Sequence, residues 1–405
     1  MKRRILIVGG GYAGAICANR LARKTRAADI EIVLADPRPW FTDRIRLHEE
    51  VAGAAPRRRP RASMLDASRV KLRVASVTDL DLVRRRATFD GALADGETRA
   101  EAFDEVILAT GSVGATRGVA GIDKAWSCAT AEHATALRAR LDETPAARVV
   151  VIGGGLTGIE LASELAERQP SLRVTLVATG LVGALLSDAG RAHVRRTLEG
   201  FGVELREHAQ VVAVERDGVV LASGDAIESD VTVWCGGFEA APLSASSGLV
   251  VDALGRAVVD ARLRSRSHDF VRVIGDAAHV DRRRRDGSVT PLRMGCVSAL
   301  PMGAYCADDI AAETNGRASR PFAFGYLIQC ISLGRRNGIV QQVDSYDVAT
   351  SRYLGGRLGA WGKELVCRFA FRSVELERFG IGYRWPGGPA LPARASRPML
   401  ASRET

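Results

Sequence analysis

The fold is decided by residues 5–14, Ile5-Leu6-Ile7-Val8-Gly9-Gly10-Gly11-Tyr12-Ala13-Gly14, where a short apolar run meets a glycine-rich turn. A continuous apolar run of this length is typical of a parallel strand that is buried on both faces. The spacing Gly9-x-Gly11-x-x-Gly14 is that of a dinucleotide-binding turn. The first glycine permits a sharp turn, the second lets a pyrophosphate approach the backbone, and the third lets the helix pack closely on the strand. The helix that follows directs the partial positive charge of its N terminus at the phosphates.

The residues after this turn complete a βαβ unit. A helical stretch runs from Ala13 to about Lys24, and a second apolar strand covers residues 30–36. That strand ends in Asp36, which lies 27 residues after Gly9. A carboxylate there can accept hydrogen bonds from both hydroxyls of an adenosine ribose. Since FMN has no adenosine ribose, Asp36 favours FAD over FMN.

The same pattern recurs about 144 residues later. Residues 148–152 form an apolar strand, residues 153–158 have the spacing Gly-x-Gly-x-x-Gly, and Glu160 follows two residues on. Two such turns imply two dinucleotides. Two dinucleotides in one protein imply redox transfer, because a nicotinamide and a flavin are the usual hydride couple.

The second βαβ unit lacks the residue that would select between NADH and NADPH. Its second strand, residues 173–177, ends at Ala178-Thr179, with neither an acid nor an arginine. A carboxylate at this point favours NADH, and an arginine favours NADPH. The sequence therefore leaves both cofactors open.

Three later segments are strands that run into turns of small residues. They cover residues 103–112, 231–237 and 270–278. In the last of these, Asp276 directly follows Gly275, and its carboxylate can accept a hydrogen bond from a flavin ribityl hydroxyl. An aspartate after a glycine can equally be an ordinary helix N-cap.

Composition restricts the class of protein. A chain of 405 residues suits two or three domains. The net charge of +10 can attract anionic cofactors, acidic proteins or anionic lipid. The basic runs 57–61 and 282–285 lack interleaved aromatic residues, so they are predicted to be solvated loops and not nucleic-acid contacts. No apolar stretch approaches the ~18 residues of a spanning helix, which makes the cytoplasm the expected compartment.

Cysteine and histidine patterns offer no separate chemistry. The seven cysteines are dispersed without a CxxC pair, which fits reduced and mostly buried thiols. No Cys/His spacing typical of zinc occurs, so no metal is expected. His48 lies in a segment expected near the flavin, but a satisfied structural histidine is favoured.

The order of these motifs resembles the two-dinucleotide-binding flavoproteins related to glutathione reductase, the pyridine nucleotide-disulfide oxidoreductases. Within them it most resembles the branch of type II NADH:quinone dehydrogenases and apoptosis-inducing-factor-like proteins. The resemblance spans roughly residues 4–310 and is carried by residues 41–42, 51–53, 155–165, 255–260 and 273–276.

The resemblance implies a role for each matching residue. Arg44, which could reach the FAD pyrophosphate, is also compatible with an ordinary surface arginine. Glu160 would be the catalytic residue beside the nicotinamide. The residues that would contact FAD are Gly9, Gly11, Tyr12, Ala13, Gly14, Asp36, Arg44, Val77, Ala109, Thr110, Gly111 and Asp276, and those for the nicotinamide dinucleotide are Gly153, Gly155, Gly158 and Gly237.

The resemblance also implies an α/β fold with two Rossmann-like domains. The FAD domain would comprise residues 1–118 and 246–320, with the NAD(P)H domain, residues 119–245, inserted in it. Residues 321–405 would form a C-terminal region with an amphipathic helix from Arg352 to Arg372 and a disordered tail. Such helices in the family support peripheral contact with the inner face of the membrane or a homodimer, although a helix packed on the protein's own core fits as well.

The implied activity is hydride transfer from NADH or NADPH to FAD, followed by electron transfer to a quinone or quinone-like molecule. The CxxxxC pair of the disulfide reductases is absent, which disfavours disulfide exchange. The quinone-binding helix of the type II dehydrogenases carries two glutamines where this chain has Val297 and Pro301. Three alternatives therefore stay open: a reductase of an acidic, ferredoxin-type protein, an enzyme of specialised metabolism, and a slow redox-sensing flavoprotein.

Overall fold

The computed structural model describes residues 2–90, 99–284, 286–385 and 387–391. Most of the tail predicted to be disordered lies outside the described residues. Within these residues, three short 3-10 helices occur besides the elements given below, at Arg44–Arg46, Ile122–Lys124 and Gly275–Ala277.

The strands of the described residues, in chain order, are β1 (Arg3–Val8), β2 (Ile30–Asp36), β3 (Trp40–Thr42), β4 (Arg58–Pro60), β5 (Val70–Val74), β6 (Ser76–Asp81), β7 (Arg86–Asp90), β8 (Ala100–Ala102), β9 (Glu105–Leu108), β10 (Ser112–Gly114), β11 (Trp126–Ser127), β12 (Arg148–Ile152), β13 (Arg173–Val177), β14 (Glu204–Arg206), β15 (Val211–Val214), β16 (Gly218–Leu221), β17 (Ala226–Glu228), β18 (Val231–Trp234), β19 (Phe238–Ala240), β20 (Ala257–Val258), β21 (Val271–Val273), β22 (Ala278–His279), β23 (Asp281–Arg283), β24 (Val289–Pro291), β25 (Ile328–Leu333), β26 (Asn337–Val343) and β27 (Ala349–Gly355).

The α-helices of the same residues are α1 (Tyr12–Lys24), α2 (Leu47–Val51), α3 (Arg61–Met64), α4 (Ala131–Asp142), α5 (Leu156–Arg168), α6 (Asp188–Gly200), α7 (Leu243–Ser246), α8 (Cys296–Thr314) and α9 (Gly356–Glu377).

Two parallel five-stranded sheets form the framework. The first has the strand order β21-β9-β1-β2-β5 and the second has the order β11-β18-β12-β13-β14. The apolar run of β1 places Ile5 and Ile7 fully out of solvent, as expected for a strand covered on both faces. The predicted α/β fold with two Rossmann-like units is confirmed. Residues 70–74 form β5, which pairs in parallel with β2.

The division of the chain between the two sheets fits an inserted domain. The first sheet takes strands from residues 3–108 and 271–273, whereas the second takes all its strands from residues 126–234. An antiparallel sheet, β6-β7-β8, accompanies the first unit, and another, β15-β16-β17, accompanies the second. We propose domain boundaries near residues 118 and 245 on this basis.

The C-terminal region differs from its prediction in two ways. Residues 352–355 end β27 of an antiparallel sheet, β25-β26-β27, and the helix begins only at Gly356. The helix also presents its apolar stripe to solvent, since Trp361 is 64% exposed and Phe369 56% exposed, while Cys367 and Val374 are buried. Small residues on the inner side allow close packing, so α9 lies on the core and still leaves a large apolar face uncovered.

The expectation that both basic runs are solvated loops is wrong. Arg58 and Arg282 lie in short strands, and the side chains of Arg61 and Arg282 are buried. Arg282 lies over the rings of Tyr326 and Tyr346, with its guanidinium carbon 4.8 and 5.3 Å from their centroids. A planar guanidinium can be buried in this way because it stacks on aromatic faces. Arg285 lies outside the described residues.

A buried ion network links the first sheet to α8. Arg272 of β21 is fully buried and pairs with Glu105 of β9, with Asp309 of α8 and, at 2.8 Å, with Glu313. Burial lowers the pKa of the Arg272 guanidinium, but Glu105 and the other carboxylates outweigh burial and raise it above its ordinary value. Arg272 therefore stays charged.

Replacing Arg272 by Met should strongly destabilise the protein. The substitution leaves Glu105 and Asp309 buried without their partner, and breaking a buried pair in this way typically costs about 3–5 kcal/mol. We expect the apparent Tm to fall by roughly 10 °C in differential scanning fluorimetry. Arg26→Met, which removes an exposed arginine paired with Asp29, is the control and should leave the Tm unchanged. Equal melting of both variants would contradict the structural role of Arg272.

Candidate functional site

The first glycine turn has the geometry that its sequence predicts. Gly9 has φ +99°, and a Cβ on it would lie 2.3 Å from the carbonyl oxygen of Ala109. A Cβ on Gly14 would lie 1.9 Å from the carbonyl oxygen of Gly9, so strand and helix touch there. A Cβ on Gly11 would meet nothing within 4 Å. The space in front of the N terminus of α1 is thus open, as a pyrophosphate requires.

The second turn repeats this geometry between β12 and α5. Gly153 has φ +127°, and a Cβ on it would lie 2.4 Å from the carbonyl oxygen of Cys235. A Cβ on Gly158 would lie 1.9 Å from the carbonyl oxygen of Gly153, and a Cβ on Gly155 would meet nothing within 4 Å. The chain therefore has two open helix N termini of the same construction, each able to hold a pyrophosphate.

Asp36 already has three donors where the sequence predicts ribose contacts. Its Oδ2 accepts from the backbone N–H of Gly10 at 2.8 Å, and its Oδ1 accepts from the N–H of Arg38 at 3.0 Å. The buried Arg61 places Nη2 2.9 Å from Oδ1 and also donates to the carbonyl oxygen of Gly10. A ribose would have to share the carboxylate with Arg61, a residue that sequence reasoning missed because it lies in a run predicted to be solvated.

Asp276 joins the loops that the sequence assigns to FAD. Its Oδ2 accepts from the hydroxyl of Ser112 at 2.7 Å, and its Oδ1 accepts from the N–H of Gly295 at 2.7 Å. Arg44 donates from Nη1 to Ser112 Oγ at 3.2 Å and from Nε to the carbonyl oxygen of Ala129 at 2.9 Å. The structure thus brings Arg44 and Asp276 together through Ser112, and Arg44 is not a free surface arginine.

Two buried polar atoms in this region have no hydrogen-bond partner among the described residues, Arg44 Nη2 and Thr110 Oγ1. Leaving a buried donor unpaired costs about 1–3 kcal/mol. Burial lowers the pKa of Arg44, with Asp276 opposing the effect. A bound dinucleotide phosphate would supply the missing acceptor, so the residues here fit FAD.

Three other residues predicted to contact FAD lie in α1 and β6. Tyr12 donates from its hydroxyl to Asp43 Oδ1 at 2.6 Å, and burial raises the pKa of Tyr12 well above its usual range. Ala13, in the first turn of α1, packs against Gly303 of α8, where a Cβ would lie 2.2 Å from the carbonyl oxygen of Ala13. Val77 lies in β6, next to the strand that pairs with β2. Tyr12 and Ala13 thus lie at the start of α1, directly after Gly11.

The second turn is bordered by residues that are distant in sequence. Gly237 has φ +118° and lies beside Arg117, which donates from Nε to the carbonyl oxygen of Gly236 at 2.6 Å. After β13, the N–H of Val182 donates to Glu207 Oε1 at 2.8 Å. Glu207 therefore places a carboxylate near the loop after β13, where the sequence itself has no acidic residue. This carboxylate already accepts from Val182 and forms an ion pair with Arg195.

Glu160 is the centre of a buried polar cluster. Its Oε1 lies 2.7 Å from Lys363 Nζ of α9 and accepts from the N–H of Ser332 at 3.0 Å. Its Oε2 lies 3.7 Å from His48 Nδ1 of α2. All four residues are buried or nearly so. The C-terminal region thus contributes directly to the position expected beside the nicotinamide.

The charged groups of this cluster shift the pKa values of one another. Burial would raise the pKa of Glu160, but Lys363 and then His48 outweigh it and hold that pKa below its usual value. Burial would lower the pKa of Lys363, but Glu160 raises it well above its usual value. Burial lowers the pKa of His48, and the neighbouring carboxylates of Glu160 and Glu49 oppose this effect. Glu160 and Lys363 form an ion pair over the whole neutral range.

His48 corrects an expectation from the sequence. The sequence favours a structural histidine with satisfied hydrogen bonds, but His48 Nε2 is buried and has no partner among the described residues. Lys363 was missed altogether, because the amphipathic pattern of its helix places it with the solvated lysines and arginines. No signal in the sequence marks it as buried, since its partner Glu160 is on another element.

A second ion network holds the cluster in place. Arg335, in the turn between β25 and β26, lies 2.8 Å from Glu164 of α5 and 3.1 Å from Glu49 of α2. Glu49 also accepts from Arg46 Nη1 at 2.6 Å. These bonds fix the C-terminal sheet against α5, which carries Glu160.

The cysteines lack the CxxxxC spacing of the disulfide reductases. All seven cysteines are free in the structure, and Cys17 of α1 is buried. In the part of the chain that the structure describes, no group of three or more His, Cys, Asp or Glu side chains is placed to hold a metal ion.

Comparison with known proteins agrees with this geometry. Residues 3–301 match the family model described as pyridine nucleotide-disulphide oxidoreductase. An NADH dehydrogenase-like protein of Mycobacterium tuberculosis is 28% identical over 364 residues, covering 83% of this chain and 87% of its own. The type II NADH:quinone oxidoreductase of Staphylococcus haemolyticus is 26% identical over 396 residues, covering 90% and 94%. The solved structure of NDH2 from Plasmodium falciparum in complex with NADH has a TM-score of 0.77 at 13% identity, covering 95% of this chain and 99% of that one, which shows the fold alone.

Replacing Asp276 by Asn should weaken FAD binding and leave the second site intact. The carboxylate that organises Ser112 and Gly295 loses its charge, and a hydrogen bond to a charged group contributes about 1.5–3 kcal/mol, or roughly 10- to 150-fold in affinity. Dissociation of FAD can be followed by its fluorescence during dilution. The control is Asp269→Asn, an exposed aspartate. Equal retention of flavin in the two variants would show that Asp276 does not hold the cofactor.

Replacing Lys363 by Met should add a pH dependence of stability that comes from Glu160 and that the parent does not have. In the parent, the pKa of Glu160 is lower in the folded state than in the unfolded state. The stability that Glu160 contributes is therefore present above the unfolded pKa and is lost only in acid. The contribution of Lys363 is lost only in strong base. Without Lys363, burial raises the pKa of Glu160, so stability is lost as pH rises through that new value.

The loss of stability in Lys363→Met should approach about 3–5 kcal/mol at pH 8 and be smaller at pH 5. Thermal unfolding of the parent and the variant between pH 5 and pH 9 measures this difference. Lys363→Arg keeps the charge and should follow the parent. A difference between Lys363→Met and the parent that stays constant with pH would rule out the ion pair.

Proposed function

Because the chain belongs to the pyridine nucleotide-disulphide oxidoreductase family, and is thus an FAD-dependent oxidoreductase that uses a nicotinamide dinucleotide, we propose that it transfers electrons from NADH or NADPH through FAD to a quinone or quinone-like small molecule. The type II NADH:quinone oxidoreductase of Staphylococcus haemolyticus supports the choice of acceptor. The free cysteines and the absence of a CxxxxC pair argue against disulfide exchange.

The main support for this function is the pair of open glycine turns, each of which lies close to buried polar side chains. The first turn adjoins the Arg44–Ser112–Asp276 network, and the second opens the helix that carries Glu160. We assign the first site to FAD, because Asp36, Thr110 and Asp276 surround it. We assign the second to the nicotinamide dinucleotide.

The residues of the protein would position the reactants. When bound, FAD would accept the hydride of the nicotinamide and pass its electrons to the acceptor. Reduction of a quinone to a quinol consumes two electrons and two protons. Lys363 lies 2.7 Å from Glu160 in a largely buried site, where the ion pair would fix a polar group beside the reactants and exclude bulk water, and the protons of the quinol would come from solvent. Arg335, Glu164 and Glu49 would keep this arrangement rigid.

The exposed face of α9 supports peripheral contact with a membrane. Among the described helices, none combines the length and apolar character that crossing a bilayer requires. The stripe comprising Leu358, Trp361, Leu365 and Phe369 is exposed, and Arg368 and Arg372 are exposed on the same helix. Apolar side chains with flanking arginines are suited to the surface of an anionic bilayer.

The acceptor can be tested directly. Under anaerobic conditions, NADH or NADPH should bleach the flavin absorbance of the holoprotein, and a naphthoquinone should restore it over repeated cycles. We expect a kcat/KM for the quinone at least about tenfold above that for a ferredoxin-type protein, a difference of ~1.4 kcal/mol. Rapid reduction of the flavin without reoxidation by any quinone, but with reoxidation by the acidic protein, would reject a quinone acceptor.

The membrane contact has its own test. Leu365→Ser combined with Phe369→Ser should lower the affinity for phosphatidylglycerol vesicles by roughly tenfold or more, because both side chains would lose apolar burial in the interface. Vesicle co-sedimentation measures the effect. Val83→Ser with Val212→Ser, two exposed apolar residues elsewhere, is the matched control. Unchanged sedimentation of the Leu365/Phe369 variant would refute contact through this stripe.

A further inference from the structure

A cavity of about 450 Å³ opens beside the Glu160 cluster. It lies between the segment around α2, the turn from β25 to β26 and the first turns of α9. Its walls are strongly basic, and the cationic residues that line it are Arg46, Arg57, Arg335, Arg336, Arg357 and Lys363. The carboxylate among its lining residues is Glu364.

The positive charge of this cavity is only partly neutralised. Glu364 accepts from Arg46 and, at 2.6 Å, from Arg368, so it is already engaged. Arg336 and Arg357 are exposed, and no ion pair to either of them occurs within the described residues. Arg57 reaches a carboxylate only at 3.9 Å. Three guanidinium groups therefore remain available to an incoming anion at the mouth of the cavity.

An aromatic surface stands next to these charges. Trp361 lines the cavity and is 64% exposed. A flat indole with a large apolar area favours stacking with an aromatic ring. A ligand with both an anionic group and an aromatic ring could bind the guanidinium groups through the anion and stack its ring on Trp361. A simple inorganic anion or an aliphatic acid would use only the guanidinium groups.

The floor of the cavity belongs to the proposed catalytic cluster. Lys363 and Ser332 both line it, and both are hydrogen-bonded to Glu160. None of the lining residues comes from either glycine turn. The cavity is therefore a second approach to Glu160, separate from the positions at which the two pyrophosphates would lie.

We propose that this cavity admits the electron acceptor and that the acceptor is a small aromatic anion, a quinone that carries a carboxylate, sulfonate or phosphate group. This inference rests on the proposed function and adds the chemical class of the substrate. The reaction is balanced: the nicotinamide is oxidised by two electrons and the hydrogen of its hydride is released to solvent as a proton, the quinone gains those two electrons, and the quinol takes two protons from solvent.

The test compares 1,4-naphthoquinone-2-sulfonate with uncharged 1,4-naphthoquinone, using the double variant Arg336→Gln/Arg357→Gln. The ratio of kcat/KM for the sulfonate over the uncharged quinone should fall by roughly tenfold, because two guanidinium groups contact only the charged substituent. The same ratio in the parent should fall as salt is added, since the arginines are exposed. Arg86→Gln/Arg216→Gln, which removes two exposed arginines outside the cavity, should keep the parental ratio.

Binding without turnover separates this inference from the proposed function. Naphthalene-2-sulfonate, which cannot be reduced at the flavin, should quench the fluorescence of Trp361 in the oxidised holoprotein, and the Arg336/Arg357 variant should bind it roughly tenfold more weakly. Loss of this quenching in Trp361→Phe would show that the fluorescence signal comes from Trp361. If the parent binds the sulfonate but reduces neither quinone, the proposed acceptor is wrong and the anion site stands.

Two results would overturn the anion site. One is an unchanged substrate ratio together with an unchanged Kd for naphthalene-2-sulfonate in the Arg336/Arg357 variant. The other is weaker binding of that variant to phosphatidylglycerol vesicles with no change in the Kd for the sulfonate, which would assign these arginines to a lipid surface.

Discussion

The buried ion pair between Glu160 and Lys363 is the interaction on which the rest of the site depends. Burying two charges is costly unless each finds its partner with good geometry. Here the cost is offset by the 2.7 Å contact, the backbone N–H of Ser332 and the network around Arg335. Because Glu160 is on α5 and Lys363 on α9, the pair ties the C-terminal region to the second unit. The same contact forms the floor of the basic cavity.

The two glycine turns impose a second constraint, and it is one of backbone geometry. In both units the third glycine lies against the carbonyl oxygen of the first, at a distance that no side chain allows. The units differ in what surrounds the turn. The first has Asp36, Ser112 and Asp276, which suit a ribose and a ribityl chain, whereas the second leads directly to a buried carboxylate. This difference is the physical basis for assigning a different dinucleotide to each unit.

The sequence predicts best what is determined locally. The turns at Gly9 and Gly153 and the strands before them follow from short-range rules, and the family resemblance extends them to the α/β fold. The partners of Asp36 and Glu160 could not be predicted, because Arg61 and Lys363 come from distant segments whose burial depends on tertiary packing. The pattern of α9 marks an apolar stripe, yet the stripe faces solvent. An amphipathic pattern shows that a helix has an apolar face and a polar face, but it does not show which face packs on the core.

We propose that FAD and the nicotinamide dinucleotide meet at the Glu160–Lys363 pair. A crystal structure of the protein with FAD and NAD⁺ tests it most directly. We expect an isoalloxazine ring held near Asp276 and a nicotinamide ring within contact of the flavin and Glu160, with the ion pair to Lys363 intact. A nicotinamide bound away from Glu160, or a flavin that does not approach the Asp276 network, would contradict it.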